Sequence, residues 1–258
     1  MDDPNIALTR ANLAQLYFVM EKYPEAKELQ PSSQTLDALT EVLGQEHPTI
    51  ATTLNNCALL YQTLGDFDSA QKYYERAKGI DYKLFGRRHR SYAVSLCNLA
   101  SLDIERKQYA EAESLYNESL VILRETLGPD HLDVAKALSG LGRVYLERQE
   151  LDKAERLSKQ SFEIRRMVLG REHPEVALAL INLGRVYHAQ GRFEKALRTS
   201  KQALRLFEKA FGSSHPKVAD CCESCAEALR ALGRETAAMA WQERAKTIRS
   251  KAIETTGK

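Results

Sequence analysis

The sequence predicts an all-α fold of stacked helical hairpins, and three observations carry that prediction. A short glycine–histidine motif returns at a constant step. Two amphipathic patterns lie between its successive copies. No segment alternates polar and apolar residues as a strand would.

The motif reads "LGQEHP" at Leu43, "FGRRHR" at Phe85, "LGPDHL" at Leu127, "LGREHP" at Leu169 and "FGSSHP" at Phe211. Its glycines Gly44, Gly86, Gly128, Gly170 and Gly212 follow one another every 42 residues, and so do His47, His89, His131, His173 and His215. Glycine suits the C′ position that closes a helix. Pro48, Pro174 and Pro216 suit the first turn of the next helix, where a missing N–H costs nothing. Histidine then falls near the N-cap, where it can satisfy free backbone groups. Arg90 and Leu132 replace proline in two units, so proline helps without being required.

Within a unit the first helix comes next. In the fourth, Val134, Leu138, Leu141 and Tyr145 recur at helical spacing. A short turn follows, "LGDF", "QGRF" or "LGRE", in which Gly65, Gly191 and Gly233 supply left-handed backbone. The second helix of that unit places Leu151, Ala154, Leu157, Phe162 and Ile164 on an apolar face. Small residues mark the contact between the two helices. Ala58, Ala100, Gly142, Gly184 and Ala226 share one position of the first helix, and Ala70, Ala112, Ala154, Ala196 and Ala238 share one of the second. Tyr61, Tyr145 and Tyr187 fill volume a turn further on.

The end units depart from this pattern. Unit one has two extra residues around "LQPSSQ", and Pro31 predicts a break in its second helix. Unit six has Glu235 where earlier units carry Phe67, Tyr109, Leu151 or Phe193, and it ends in a basic, polar helix suited to closing a stack.

"LGRVY" at Leu141–Tyr145 and again at Leu183–Tyr187, with alanine in the second helix, resembles the tetratricopeptide repeat. The period of 42 with "LG-x-x-HP" between units is similar to the kinesin light chain and nephrocystin-3-like variety. The resemblance implies a right-handed superhelical solenoid of about six helix-turn-helix repeats. It implies one domain over 1–258, with repeats near 5–46, 47–88, 89–130, 131–172, 173–214 and 215–255.

Composition narrows the function. The chain has 258 residues, 43% hydrophobic and 28% charged, which are globular values. Its net charge of +2 argues against electrostatic nucleic-acid binding. No apolar run reaches the roughly 20 residues a membrane helix needs. "MDDPNIALTR" lacks the apolar core of a secretory signal, so a cytoplasmic location with reduced cysteines is expected, and the start suits a piece of a longer protein. No phosphate loop, His-Glu-x-x-His or Gly-x-Ser-x-Gly is present, and no catalytic set, cofactor or metal is expected. The repeated histidines are each a repeat's width apart, too far to converge on one ion. In "CCESC", Cys222 and Cys225 align with core leucines, whereas Cys221 is expected to face elsewhere and to be reactive.

The resemblance implies that first helices line a concave face that holds extended peptides. One position there reads Asn12, Asn56, Asn98, Gly140, Asn182 and Ser224. Asparagine offers donors and an acceptor to a peptide backbone; solvated asparagines inherited with the motif are the alternative. Three residues on stand Arg143 and Arg185, suited to bidentate pairing with carboxylates. Lys136 and His188 flank them, and Asn55 adjoins Asn56. The expectation is a non-enzymatic protein-interaction module holding an acidic linear peptide across repeats two to five. Asn55, Asn56, Asn98, Lys136, Arg143, Asn182, Arg185 and His188 are its candidate contacts. Ala11, Asn55, Cys97, Ser139 and Ile181 occupy positions where a carboxylate clamp for chaperone termini needs basic residues, so that ligand is disfavoured. Self-association through "KELQPSSQTLDAL" is the competing reading.

Overall fold

A computed structural model describes residues 4–20, 22–29 and 33–256. The described residues form helices and the turns between them, in two compact units divided after Gly128.

The N-terminal unit begins with α1 (Pro4–Val19), α2 (Tyr23–Glu28) and α3 (Ser33–Leu43). The expected break is present: the second helix of this repeat is split into α2 and α3, and Pro31 itself lies outside the described residues. Two regular hairpins follow, α4 (Pro48–Thr63) with α5 (Phe67–Phe85), and α6 (Arg90–Glu105) with α7 (Tyr109–Leu127). The C-terminal unit holds three more: α8 (Leu132–Glu147) with α9 (Leu151–Leu169), α10 (Pro174–Ala189) with α11 (Phe193–Phe211), and α12 (Pro216–Ala231) with α13 (Glu235–Thr256). Within each unit a helix packs on its hairpin partner and on the first helix of the next repeat.

The small residues do what their register requires. Ala58, Ala70, Ala100, Ala112, Ala154, Ala196, Ala226 and Ala238 are all buried. A Cβ on Gly184 would come within 2.9 Å of Thr199 Oγ1, and one on Gly142 within 3.1 Å of Ser158 Oγ. Glycine at these two sites therefore sets how closely α10 meets α11 and α8 meets α9. Larger apolar side chains fill the space between hairpins. Ile50, Leu54, Leu36 and Leu39 make one cluster in the first unit, and Phe207, Val218, Cys222 and Ile248 make another in the second.

Each of the five regular hairpins turns through one left-handed residue. Gly191 has φ 72°, and the N–H of Arg192 reaches back to Tyr187 O at 2.8 Å, a Schellman closure. Lys107 and Gln149, both at φ 61°, occupy the same place without being glycine. The glycines between repeats are stricter. Gly170 has φ 83° and ψ 166°, a region open essentially to glycine alone.

The repeated histidines cap helices. Nδ1 of His47, His89, His131, His173 and His215 accepts the backbone N–H two residues on, from Thr49, Ser91, Asp133, Glu175 and Lys217 at 3.1–3.2 Å. Nδ1 is as many bonds from Cα as Oδ1 of asparagine, so histidine here works as an Asx-type N-cap.

Candidate functional site

The first helices carry the candidate contacts, and the structure groups them unit by unit. In the N-terminal unit, Asn55, Asn56 and Asn98 line one cavity of about 340 Å³ between α4 and α6. Its floor comes from α5, through Tyr74 and Asp81. Asn98 Nδ2 donates to Asn55 Oδ1 at 3.1 Å. Tyr74 is buried, which pushes its hydroxyl above the usual range, and that hydroxyl donates to Gln62 Oε1 at 3.1 Å.

In the C-terminal unit, Arg143, Asn182 and Arg185 line a small cavity of about 40 Å³ with Ser139, Leu146 and Glu147. Arg185 and His188 line a larger neighbour of about 250 Å³. Leu146, Ile181, Ala189 and Ala196 give that cavity an apolar wall, which Gly184 adjoins. Ser224 and Glu227 of α12 complete it. Arg185 is exposed and pairs with no described residue. His188 packs its ring edge-on against Phe193, with centroids 5.2 Å apart. Lys136 lies 4.0 Å from Asp133 Oδ1 and lines neither cavity.

The asparagines have a structural task as well. Asn182 Nδ2 donates to Ser139 Oγ at 2.8 Å, the same step as Asn98 to Asn55. Each bond ties the first helix of one repeat to that of the repeat before. It uses one amide hydrogen of the donor asparagine and leaves the other, with the carbonyl oxygen, outside that bond.

Glu147 and Glu227 share the cavities of the arginines, so this groove is mixed in charge. One feature was misread in the sequence. Cys221 does not face outward. It is fully buried, and burial pushes its thiol up to about 12, as it does that of Cys225. A thiolate is the reactive species, so both are inert in the folded chain. No three His, Cys, Asp or Glu side chains converge among the described residues, and no described helix is long and apolar enough to cross a membrane.

The comparison with family profiles decides the fold family. The tetratricopeptide repeat profile matches residues 5–83, 91–167, 140–209 and 175–251. The chain belongs to the tetratricopeptide repeat family. Among solved structures, this tetratricopeptide chain is similar to nearly identical TPR-like repeats from a Podosopora anserina protein of kinesin light chain type. The identity is 26%, the TM-score 0.64, and the match covers 81% of this chain and 99% of that one. BtubC (BKLC) from P. vanneervenii shares the fold at 19% identity and TM-score 0.65, covering 97% and 92%. A Rap protein complexed with Competence and Sporulation Factor shares it at 14% identity and TM-score 0.71, covering 93% and 67%. No curated protein matches.

Proposed function

We propose that this tetratricopeptide chain is a non-enzymatic interaction module, a cargo adaptor or assembly scaffold, that holds a linear peptide against its first helices. The observation that carries this reading is Arg185, exposed and unpaired at the mouth of a part-apolar cavity of about 250 Å³. An exposed ion pair contributes only about 0.2–1 kcal/mol. Micromolar binding needs roughly −8 kcal/mol, so an arginine alone cannot supply it. The apolar wall of Leu146, Ile181 and Ala189 supplies the rest by taking an apolar or aromatic side chain. The peptide thus carries such an anchor next to an acidic residue. Arg185, with Arg143 beside it, takes the carboxylate, and Asn182 offers its remaining amide hydrogen and its oxygen to the peptide backbone. In the N-terminal unit Asn98 offers the same groups, Asn55 its amide hydrogens, and Asn56 its amide. Lys136, turned to Asp133, plays at most an outer electrostatic part.

The test starts from peptides selected on the intact chain out of a random linear library. A selected acidic peptide should bind Arg185→Glu more than about tenfold more weakly than wild type, and should not bind the Arg143→Glu, Arg185→Glu double variant. Affinity unchanged within about twofold would remove Arg185 from the site. The competing reading, a self-associating segment, draws on exposed Ile6, Leu13, Leu16 and Met20 near α1. Light scattering that gives a dimer mass, lost on truncating that segment, would favour it.

A further inference from the structure

One position of the second helix carries Asp81, Leu123, Arg165, Phe207 and Arg249, each 42 residues after the last. Leu123 and Phe207 are fully buried in the core. The two arginines have counter-charges within the chain. Arg165 is buried, pairs with Glu175 at 3.2 Å and donates to Ala135 O. Arg249 pairs with Asp220 at 2.9 Å and Glu223 at 2.8 Å. Asp81 is the exception. It is 5% exposed, yet no basic side chain among the described residues forms an ion pair with it.

Its hydrogen bonding is half complete. Ser95 Oγ donates to Oδ2 at 2.7 Å. No described group donates to Oδ1. No fully buried side-chain oxygen among the described residues lacks a partner, so Oδ1 retains some exposure, and Asp81 lines the cavity of about 340 Å³. That size is within the range of ligand pockets, roughly 300–1,000 Å³. His89 is the imidazole that acts on Asp81 electrostatically, and its Nδ1 accepts the Ser91 N–H. Arg90 stands on the cavity wall with Ser91 and Val94. Burial raises the carboxyl of Asp81 above the usual range, against the opposing pull of the Ser95 hydrogen bond and of His89.

Buried charges in proteins are paired, and an unpaired one is strongly unfavourable. We infer that the cavity over Asp81 takes the lysine or arginine side chain of a bound peptide, whose cationic head pairs with Asp81 Oδ1 while Asn55, Asn56 and Asn98 hold the adjacent backbone. The inference rests on the peptide-groove reading above and extends it. The N-terminal unit selects a basic residue, and the C-terminal unit an acidic one. Asp81 is thus a specificity-determining residue on a second helix, beneath a groove made by first helices.

The experiment uses the full chain and a random linear peptide library, selected in parallel on wild type, Asp81→Asn and Arg185→Glu. The variant Asp81→Asn keeps the side chain's shape and an acceptor for Ser95, and its melting curve reports whether it folds. Peptides from wild type should carry lysine or arginine at one fixed place. That preference should vanish with Asp81→Asn and persist with Arg185→Glu. The best peptide, remade with citrulline in place of the basic residue, should lose about tenfold or more in affinity for unaltered wild-type protein. Peptides without a fixed basic residue, a preference unchanged in Asp81→Asn, or a citrulline loss under about twofold each overturn the inference and leave the groove reading standing. Failure to select any peptide overturns both.

Discussion

Replacing His173 tests whether the repeated histidines are structural caps. His173 is exposed, so its replacement changes little packing. It accepts the Glu175 N–H at 3.1 Å and opens α10. Removing a side-chain N-cap costs about 0.5–2 kcal/mol. The upper half of that range applies here, because the same turn aims Glu175 at buried Arg165, 3.2 Å away. His173→Ala should therefore lower stability by about 1–2 kcal/mol, and Tm by about 2–4 °C for each of those kcal/mol in a chain of this size. His173→Asn should lose about 0.5 kcal/mol or less, since Oδ1 stands where Nδ1 stood. The five caps sit on different helices and share no hydrogen-bond partner, so they should add, and alanine at all five histidines costs about 5 kcal/mol, a large share of the roughly 5–15 kcal/mol of an ordinary domain. Urea denaturation followed by circular dichroism measures each variant. An asparagine variant as unstable as the alanine variant would refute the capping argument.

Other perturbations have equally definite signs. Lys107→Gly should raise stability by up to about 1 kcal/mol in the same denaturation assay, because relief of left-handed strain, about 1–2 kcal/mol, exceeds the entropy cost of glycine, about 0.5–1 kcal/mol. Asp103 stands where Tyr61, Tyr145 and Tyr187 stand in other repeats, and burial, seconded by Glu111, raises its carboxyl to about 6. The folded state holds its proton more tightly than the unfolded state, so this group lowers stability as pH rises from about 4 to about 6. Asp103→Asn should then raise Tm at neutral pH and leave it nearly unchanged below about pH 4. Glu227→Gln, beside Arg185, should strengthen binding of an acidic peptide severalfold by fluorescence anisotropy. Half-buried Cys97 should react with a thiol reagent in the native protein before Cys221, Cys222 or Cys225, and all four should react together in urea, as read by mass spectrometry.

How much could be read beforehand differs between backbone and site. The step of 42 made the hairpins legible, because glycine, proline and small residues each answer a local constraint that sequence displays directly. The histidine caps were legible for the same reason. The burial of Cys221 was also within reach. Its register counterparts Thr53, Ser95, Ala137 and Ala179 are all small and all buried, a column the face assignment overlooked. The asparagine ladder was not legible. Asn98 meets Asn55 and Asn182 meets Ser139, one place off the 42-residue register, and that offset depends on how neighbouring helices are staggered. Asp81 was not legible as a ligand contact because it lies on α5, outside the first-helix register that carries the other candidates. Its signal was a lone acidic residue in a column otherwise apolar or basic.

The central claim is that ligands lie along the first helices. Nitrogen-15 labelled protein, titrated with a library-selected peptide and followed by nuclear magnetic resonance, tests it most directly. The side-chain amides of Asn55, Asn56 and Asn98 in the N-terminal unit, and of Asn182 with the backbone amides around Arg185 in the C-terminal unit, should shift and saturate. Shifts confined to the solvent faces of α9, α11 or α13, with those amides unmoved, would contradict it.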